Sequence, residues 1–260
     1  MPAGPSGWAS TADLITQSRA QAGSVDRLAA GVHAWPCETA RVRRDNFRQP
    51  PVVALSPRDD DVAADRSSWP ATIPAVAQLL EEGLALDPGV TFLVGENGSG
   101  KSTLVEALAM AAGMNAEGGS TGATHRTHAS ESLLHEWVTV VRDPGAPRWG
   151  YFVRAETMHG LFTWLDTNPG PTDPAFHTMS HGESFVTLLG TRRFRGEGLF
   201  VLDEPEAGLS FSAQLHLVAE LAEMARRPRT QVVLATHSPV LAAIPGASVL
   251  ELGEHGIRPT

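Results

Sequence analysis

Three apolar, largely β-branched runs punctuate the chain, and each ends in polar residues: "VTFLV" before Gly95, "GLFVL" before Asp203 and "QVVLAT" before His237. Runs that are apolar on both faces are what a buried parallel sheet requires, because helices cover both of its sides. Between them the apolar period shifts to that of a helix. "STLVEALAMAA" starts at a glycine-rich loop and stops at Gly113, and "SFSAQLHLVAELAEMARR" sets Phe211, Leu215, Val218, Leu221 and Ala225 on one face. Upstream, "VVAL" predicts a strand and "TIPAVAQLLEEGLAL" a helix followed by a strand. "LLHEWVTVVRD" and "RWGYFVRAE" predict two strands around the turn "PGAP", followed by the helix "MHGLFTWLDT" and a long Gly/Pro loop to residue 180. Strand, loop and helix alternate as in a doubly wound α/β fold. Residues 1–48, rich in Ala, Gly, Ser and Arg with one weak helical pattern, are expected to be a mobile appendage, and 49–260 the folded domain.

The loop after the first run carries the most specific chemistry. "GENGSGKS", residues 95–102, fits GxxxxGK[ST] without a mismatch and lies between a predicted strand and a predicted helix, the context that the motif needs. Gly95, Gly98 and Gly100 let the backbone curl so that successive N–H groups, those of Glu96, Asn97 and Ser99 among them, point at phosphate oxygens. The helix that follows, with Thr103 in its first turn, adds its positive dipole end. Lys101 can neutralise the β- and γ-phosphates, and Ser102 can offer its hydroxyl to Mg²⁺. About a hundred residues later, Asp203 can deliver a carboxylate to that metal from the end of a strand, and Glu204 can polarise the attacking water. Two acids after a strand are by themselves as consistent with a solvated turn. The phosphate loop upstream is what favours catalysis.

Together these segments resemble the ATP-binding-cassette ATPases. The loop, "MSHGES" at 179–184, "VLDEPEAGLS" and "LATHSP" stand in that family's order of phosphate loop, signature, magnesium-and-base strand and switch histidine. More narrowly, "SSWPATIPAV", "PGVTFLVGENGSGKST", "YFVRAET", "SHGESF", "LDEPEAGLS" and "THSPVL" are similar to small stand-alone bacterial ATPases over about residues 50–252. These are related to the chromosome-maintenance branch, but the 78 residues between Lys101 and Ser180 leave no room for its coiled coil. The resemblance implies a P-loop fold with a mostly parallel sheet flanked by helices and a small inserted lid and signature subdomain at about 115–195. It implies ATP and Mg²⁺ as cofactors and a cytoplasmic protein that forms a homodimer around two nucleotides and hydrolyses ATP. Ser180 and Gly182 would then cap the γ-phosphate held by the opposite protomer, and His237 would sense it.

The chain also departs from the pattern. His181 and Glu183 stand where transporter signatures have a glycine and a glutamine, and no glutamine occurs between Lys101 and Ser180, so the lid glutamine is missing. Glu156 in "YFVRAET" is the candidate substitute. "PEAGLS" lacks the aspartate that commonly ends this segment in transport ATPases. These departures point away from a transporter subunit and toward a soluble partner, a protein or DNA, or toward a slow, nucleotide-gated binding module.

Composition narrows the picture further. A length of 260 residues suits one large α/β domain, and a formal net charge of −9 argues against nonspecific coating of nucleic acid. Cys37 is the single cysteine, which excludes an intramolecular disulfide and a multi-cysteine zinc site. No run of about 18 apolar residues suggests a membrane span, and the first residues do not resemble a signal peptide. Trp69, 26 residues before Gly95, is either a core residue or a platform for the adenine ring. His125 and His128 lie in a polar, glycine-rich stretch expected to be a surface loop, where two histidines are either solvated or a partial metal site.

Overall fold

A computed structural model describes residues 49–58, 65–122, 132–170 and 173–260. The appendage expected over 1–48 and the histidines at 125 and 128 lie outside the described residues. The described chain runs through β1 (Ala54–Pro57), α1 (Pro74–Glu82), β2 (Leu84–Ala85), β3 (Gly89–Gly95) and α2 (Lys101–Ala111). It continues through β4 (Gly119–Ser120), α3 (Leu134–Trp137), β5 (Val138–Val141), β6 (Gly150–Arg154), α4 (Met158–Thr167) and α5 (His181–Gly190). Then come β7 (Gly198–Asp203), α6 (Phe211–Arg226), β8 (Thr230–Ala235), α7 (Pro239–Ala242), β9 (Ser248–Gly253) and β10 (Gly256–Pro259).

The three apolar runs become neighbours in the main sheet, whose order is β10-β9-β3-β8-β7-β6-β4. From β9 to β6 every pairing is parallel, and only the edge strands β10 and β4 run antiparallel. All six residues of β7 and of β8 are buried, as a sheet covered on both faces demands. The alternation along β7 divides the core: Leu199 and Val201 face α1, α2 and a small sheet of order β2-β1-β5, while Phe200 and Leu202 face α4, α5 and α6. The result is an α/β P-loop fold with a mostly parallel sheet between helical layers. Within the stretch expected as an inserted lid, β4 and β6 belong to the main sheet.

Three local expectations are corrected. Residues 134–137, expected to be strand, form α3, because Leu134 and Trp137 are one helical turn apart and both buried, and the Ser132 hydroxyl accepts from the Leu134 N–H. β5 and β6 do not pair with each other. β5 carries a buried face and an exposed one and joins β1 antiparallel in the small sheet, whereas β6 is buried on both faces up to its last residue, Arg154, and lies parallel to β7. The buried face of α6 is Leu217, Leu221 and Met224; of the expected stripe Leu221 is buried and Val218 and Ala225 pack beside it, whereas Phe211 and Leu215 are 69% and 47% exposed. Both stripes fit a period of 3.6, and contact with β3 and β8 decides between them.

Leu217→Ala should therefore cost about 2–5 kcal/mol of unfolding free energy, as a cavity in a packed core does. Phe211→Ala should stay within about 0.5 kcal/mol of wild type. Urea unfolding followed by circular dichroism measures both, and the reverse ranking would return the helix to the face expected from sequence.

Candidate nucleotide and metal site

Four neighbouring strands end at one edge of the sheet, and each delivers a candidate residue there. β3 ends at Gly95 and opens the phosphate loop, β6 ends at Arg154, β7 at Asp203, and β8 leads through Thr236 to His237. Ligands of open α/β sheets bind at this carboxyl edge. The register aligns Arg154 with Asp203, Asp203 with Ala235, and Ala235 with Leu93.

The loop needs its glycines for steric reasons. Gly95 has φ +147°, and a Cβ there would run into the Leu252 carbonyl of the neighbouring strand. Gly100 caps α2 in the left-handed region at φ +99°, and a Cβ would meet Ile73 Cγ2 at 2.9 Å. Lys101, the only lysine in the chain, folds back over the loop, and its ammonium donates to the carbonyls of Gly95 at 3.0 Å and Glu96 at 2.9 Å. Burial holds its pKa below the usual lysine value, against the opposing pull of Glu204, Asp203 and Glu206.

Two cavities flank the loop. One, of about 270 Å³, is lined by Asn97, Gly98, Gly100, Lys101, Ser102, Thr103 and Glu204 together with Trp69 and Ile73. Trp69 is 60% exposed, so the core reading is corrected: its indole stands at the rim of the cleft. The other, of about 220 Å³, is lined by Ser102, Asp203 and Glu204 together with Arg154, Ala155, Glu156 and Ala207. The structure thus brings the phosphate loop, Asp203, Glu204 and Glu156 together.

Asp203 is buried, and its Oδ1 has no hydrogen-bond partner. Burial pushes its pKa up to about 6, although the Arg154 guanidinium, with Nε 3.2 Å from Oδ2, pulls the other way. A buried, unpartnered carboxylate oxygen in a cavity shared with the Ser102 hydroxyl fits the donor set of a Mg²⁺ ion that keeps its remaining positions for phosphate and water. Arg154 is the functional residue that sequence reasoning missed. Its Nη1 is 2.5 Å from Oε2 of the buried Glu106 and its Nε is 3.6 Å from Glu156. The signal was a charged residue closing an otherwise apolar strand run.

Glu204 adopts φ +48°, rare for a residue with a Cβ, and its N–H donates to the Ala235 carbonyl at 3.0 Å. That turn brings its Oε1 to 3.1 Å from His237 Nε2. Ser180 caps α5, where its hydroxyl and N–H both donate to the Glu183 carboxylate. Gly182 packs near Leu209 and Ala213. Neither residue lines the two cavities.

A carboxyl group whose pKa is higher in the folded chain than in the unfolded one contributes stability below its ordinary value near 3.8 and loses it as pH rises through about 6. Nucleotide-free Asp203→Asn should therefore match or exceed wild type in melting temperature at pH 7.5, with the advantage fading toward pH 4. The extra stabilisation of wild type by Mg²⁺ with nucleotide should weaken below about pH 6, where a proton competes for the same oxygen. Thermal melts across pH check both, and an Asp203→Asn protein destabilised at every pH would contradict the cost assigned to the buried charge.

Comparison with known proteins places the chain in a family. Residues 76–142 match a family described as "AAA domain", and 175–243 one described as "AAA domain, putative AbiEii toxin, Type IV TA system". The "Putative ABC transporter ATP-binding protein SCO2324" of Streptomyces coelicolor is 30% identical over 233 residues, covering 83% of this chain, which spans only 40% of the relative's length. The "Aliphatic sulfonates import ATP-binding protein SsuB" of Delftia acidovorans is 30% identical over 168 residues, 62% of this chain and 67% of the relative. A solved structure of "a putative metal-chelate type ABC transporter" aligns with a TM-score of 0.43 at 18% identity, over 69% of this chain and 75% of that one, too loosely to bear on function. The chain belongs to the ATP-binding-cassette type of P-loop ATPases.

Proposed function

We propose that the protein hydrolyses ATP with Mg²⁺, as a dimer that sandwiches two nucleotides, and couples closure and reopening to a soluble partner. The observation that carries this reading is the meeting of the phosphate loop, Asp203 and the Glu204–His237 pair at one sheet edge, with Glu204 and His237 3.1 Å apart. The loop amides and Lys101 would hold the β- and γ-phosphates once the ammonium leaves the Gly95 and Glu96 carbonyls. Ser102 and Asp203 would hold Mg²⁺, which would supply positive charge against the charge that develops on the phosphates. Glu204 would orient the attacking water and accept its proton, with His237 beside it contacting the γ-phosphate. Trp69, exposed at the cleft rim, would stack on the base.

Ser180 and Gly182 stand at a helix N-terminus and line neither of the two cavities of their own chain, which supports a reading in which they meet the phosphate held by a second copy. Glu156, 82% exposed and lining the same cavity as Asp203, is the residue we propose as the substitute for the missing lid glutamine. Among the described residues no helix is long and apolar enough to cross a membrane. A second reading, the ATP-binding subunit of a transporter, is favoured by the names of the relatives. Under it the partner is a membrane protein, and the chain should co-purify with membranes in an ATP-dependent way.

Glu204→Gln should lower turnover about 10²- to 10⁴-fold, the worth of a positioned base, while nucleotide binding holds and the ATP-bound dimer accumulates. Ser180→Arg should bind nucleotide as a monomer and fail to turn over. Phosphate release together with size-exclusion chromatography and light scattering reads both variants. Normal hydrolysis by a monomeric Ser180→Arg protein would remove the sandwich.

Trp69→Ala should weaken ATP binding by roughly 5- to 150-fold, equivalent to the ~1–3 kcal/mol of base stacking, without changing turnover at saturating ATP. Calorimetric titration of the nucleotide checks it, and unchanged affinity would return Trp69 to a role outside the site.

A further inference from the structure

We infer that Glu206 is a positioning residue that fixes the switch histidine, so that the turn after β7 and the turn after β8 work as one unit. Its Oε1 accepts two hydrogen bonds at once, from the Thr236 hydroxyl at 2.6 Å and from the His237 backbone N–H at 2.8 Å. Thr236 is fully buried, donates its own N–H to the Leu93 carbonyl at 3.1 Å, and accepts from the Ser238 N–H at 2.9 Å through its hydroxyl. Besides the Thr236 N–H bond to Leu93 and the Ser238 hydroxyl bond to Gln214, the Thr236 hydroxyl and the His237 N–H of this turn are both held by that one carboxylate oxygen. Two residues before Glu206, the Glu204 carboxylate meets the ring of the same histidine at 3.1 Å. The segment 204–206 thus grips His237 at both ends, backbone and ring.

The chemistry explains why an acid stands there. A carboxylate oxygen can take two donors with charge-assisted strength, which an apolar or hydroxyl side chain cannot match. The Leu209 N–H, bonded to the Glu206 carbonyl, and the Ala207 N–H, bonded to the Glu204 carbonyl, keep the 204–209 turn in the shape that aims both acids at the neighbouring turn. Glu206 does not line either cavity beside the phosphate loop; apart from its pull on the Lys101 charge, its hydrogen-bonded route to the site runs through His237.

The inference rests on the role proposed above for His237. Glu206→Ala should lower kcat by about 10- to 100-fold, the usual result of a small misplacement at a reacting centre, while KM for ATP stays within about twofold. Glu206→Gln keeps an acceptor oxygen and should recover kcat to within about fivefold of wild type. In a His237→Ala background, Glu206→Ala should add less than about twofold. Native-state hydrogen exchange supplies a readout that needs no turnover: amides 236–238 should exchange at least about tenfold faster in Glu206→Ala than in wild type, and not in Glu206→Gln. If that variant is too unstable to assay, Thr236→Val, which removes one of the two donors, should show the same faster exchange at Ser238 and His237. Exchange unchanged in Glu206→Ala, or equal losses of kcat in the Ala and Gln variants, would overturn the inference. A wild-type protein that does not hydrolyse ATP would instead sink the function proposed above and leave the exchange result to decide the role of Glu206.

Discussion

The parallel register across β6, β7, β8 and β3 is the constraint on which the rest depends. It stacks Arg154, Asp203, Ala235 and Leu93 across one line of the sheet, so the residues that follow each strand emerge side by side. Because side chains alternate along a strand, a slip of one residue would turn Asp203 into a helical layer and a core leucine into the site. The alternation that sends Phe200 and Leu202 to one core and Leu199 and Val201 to the other fixes that register. Packing and chemistry are thus set by the same pairing.

The charges at this edge are held against a desolvation cost. Asp203, Glu106 and Lys101 are nearly fully buried, and Arg154 is mostly so. Arg154 lies between two of the acids, 2.5 Å from Glu106 and 3.2 Å from Asp203, and joins the phosphate-loop helix to the strand that carries Asp203. Removing Arg154 would leave two buried acids uncompensated, whereas without Asp203 the guanidinium keeps Glu106, so the cation is the member that couples the two elements. Glu106 also accepts from the Ser132 N–H at 2.9 Å, which ties the segment leading into α3 to the same helix. The Lys101 ammonium is satisfied by the carbonyls of its own loop.

The departures noted in the motifs take on physical form in the fold. Glu183, where transport ATPases have glutamine, completes a capping box with Ser180, so the acid serves the start of α5. His181 lies against Gly208, within the segment that lacks the usual aspartate. Glu206, another residue of that segment, bonds the switch turn. Of these departures, His181 and the segment 205–210 meet directly, at Gly208.

The sequence by itself determined the three buried strands, the phosphate loop with its helix, and the acids that close β7. Each of these is a local matter: two-faced apolar runs, glycines at positions that exclude a Cβ, and charge at a strand end. Only the tertiary structure decided which stripe of α6 is buried, since Phe211–Leu215 and Leu217–Leu221 satisfy one helical period equally well. It also decided that β5 leaves β6 for a second sheet, and that Trp69 stands at the cleft rim when its apolar surface argued equally for the core. Arg154 and Glu206 were invisible for a related reason. Their meaning lies in partners 48 and 30 residues away in sequence, and a single chain of letters carries no record of which strands will lie side by side.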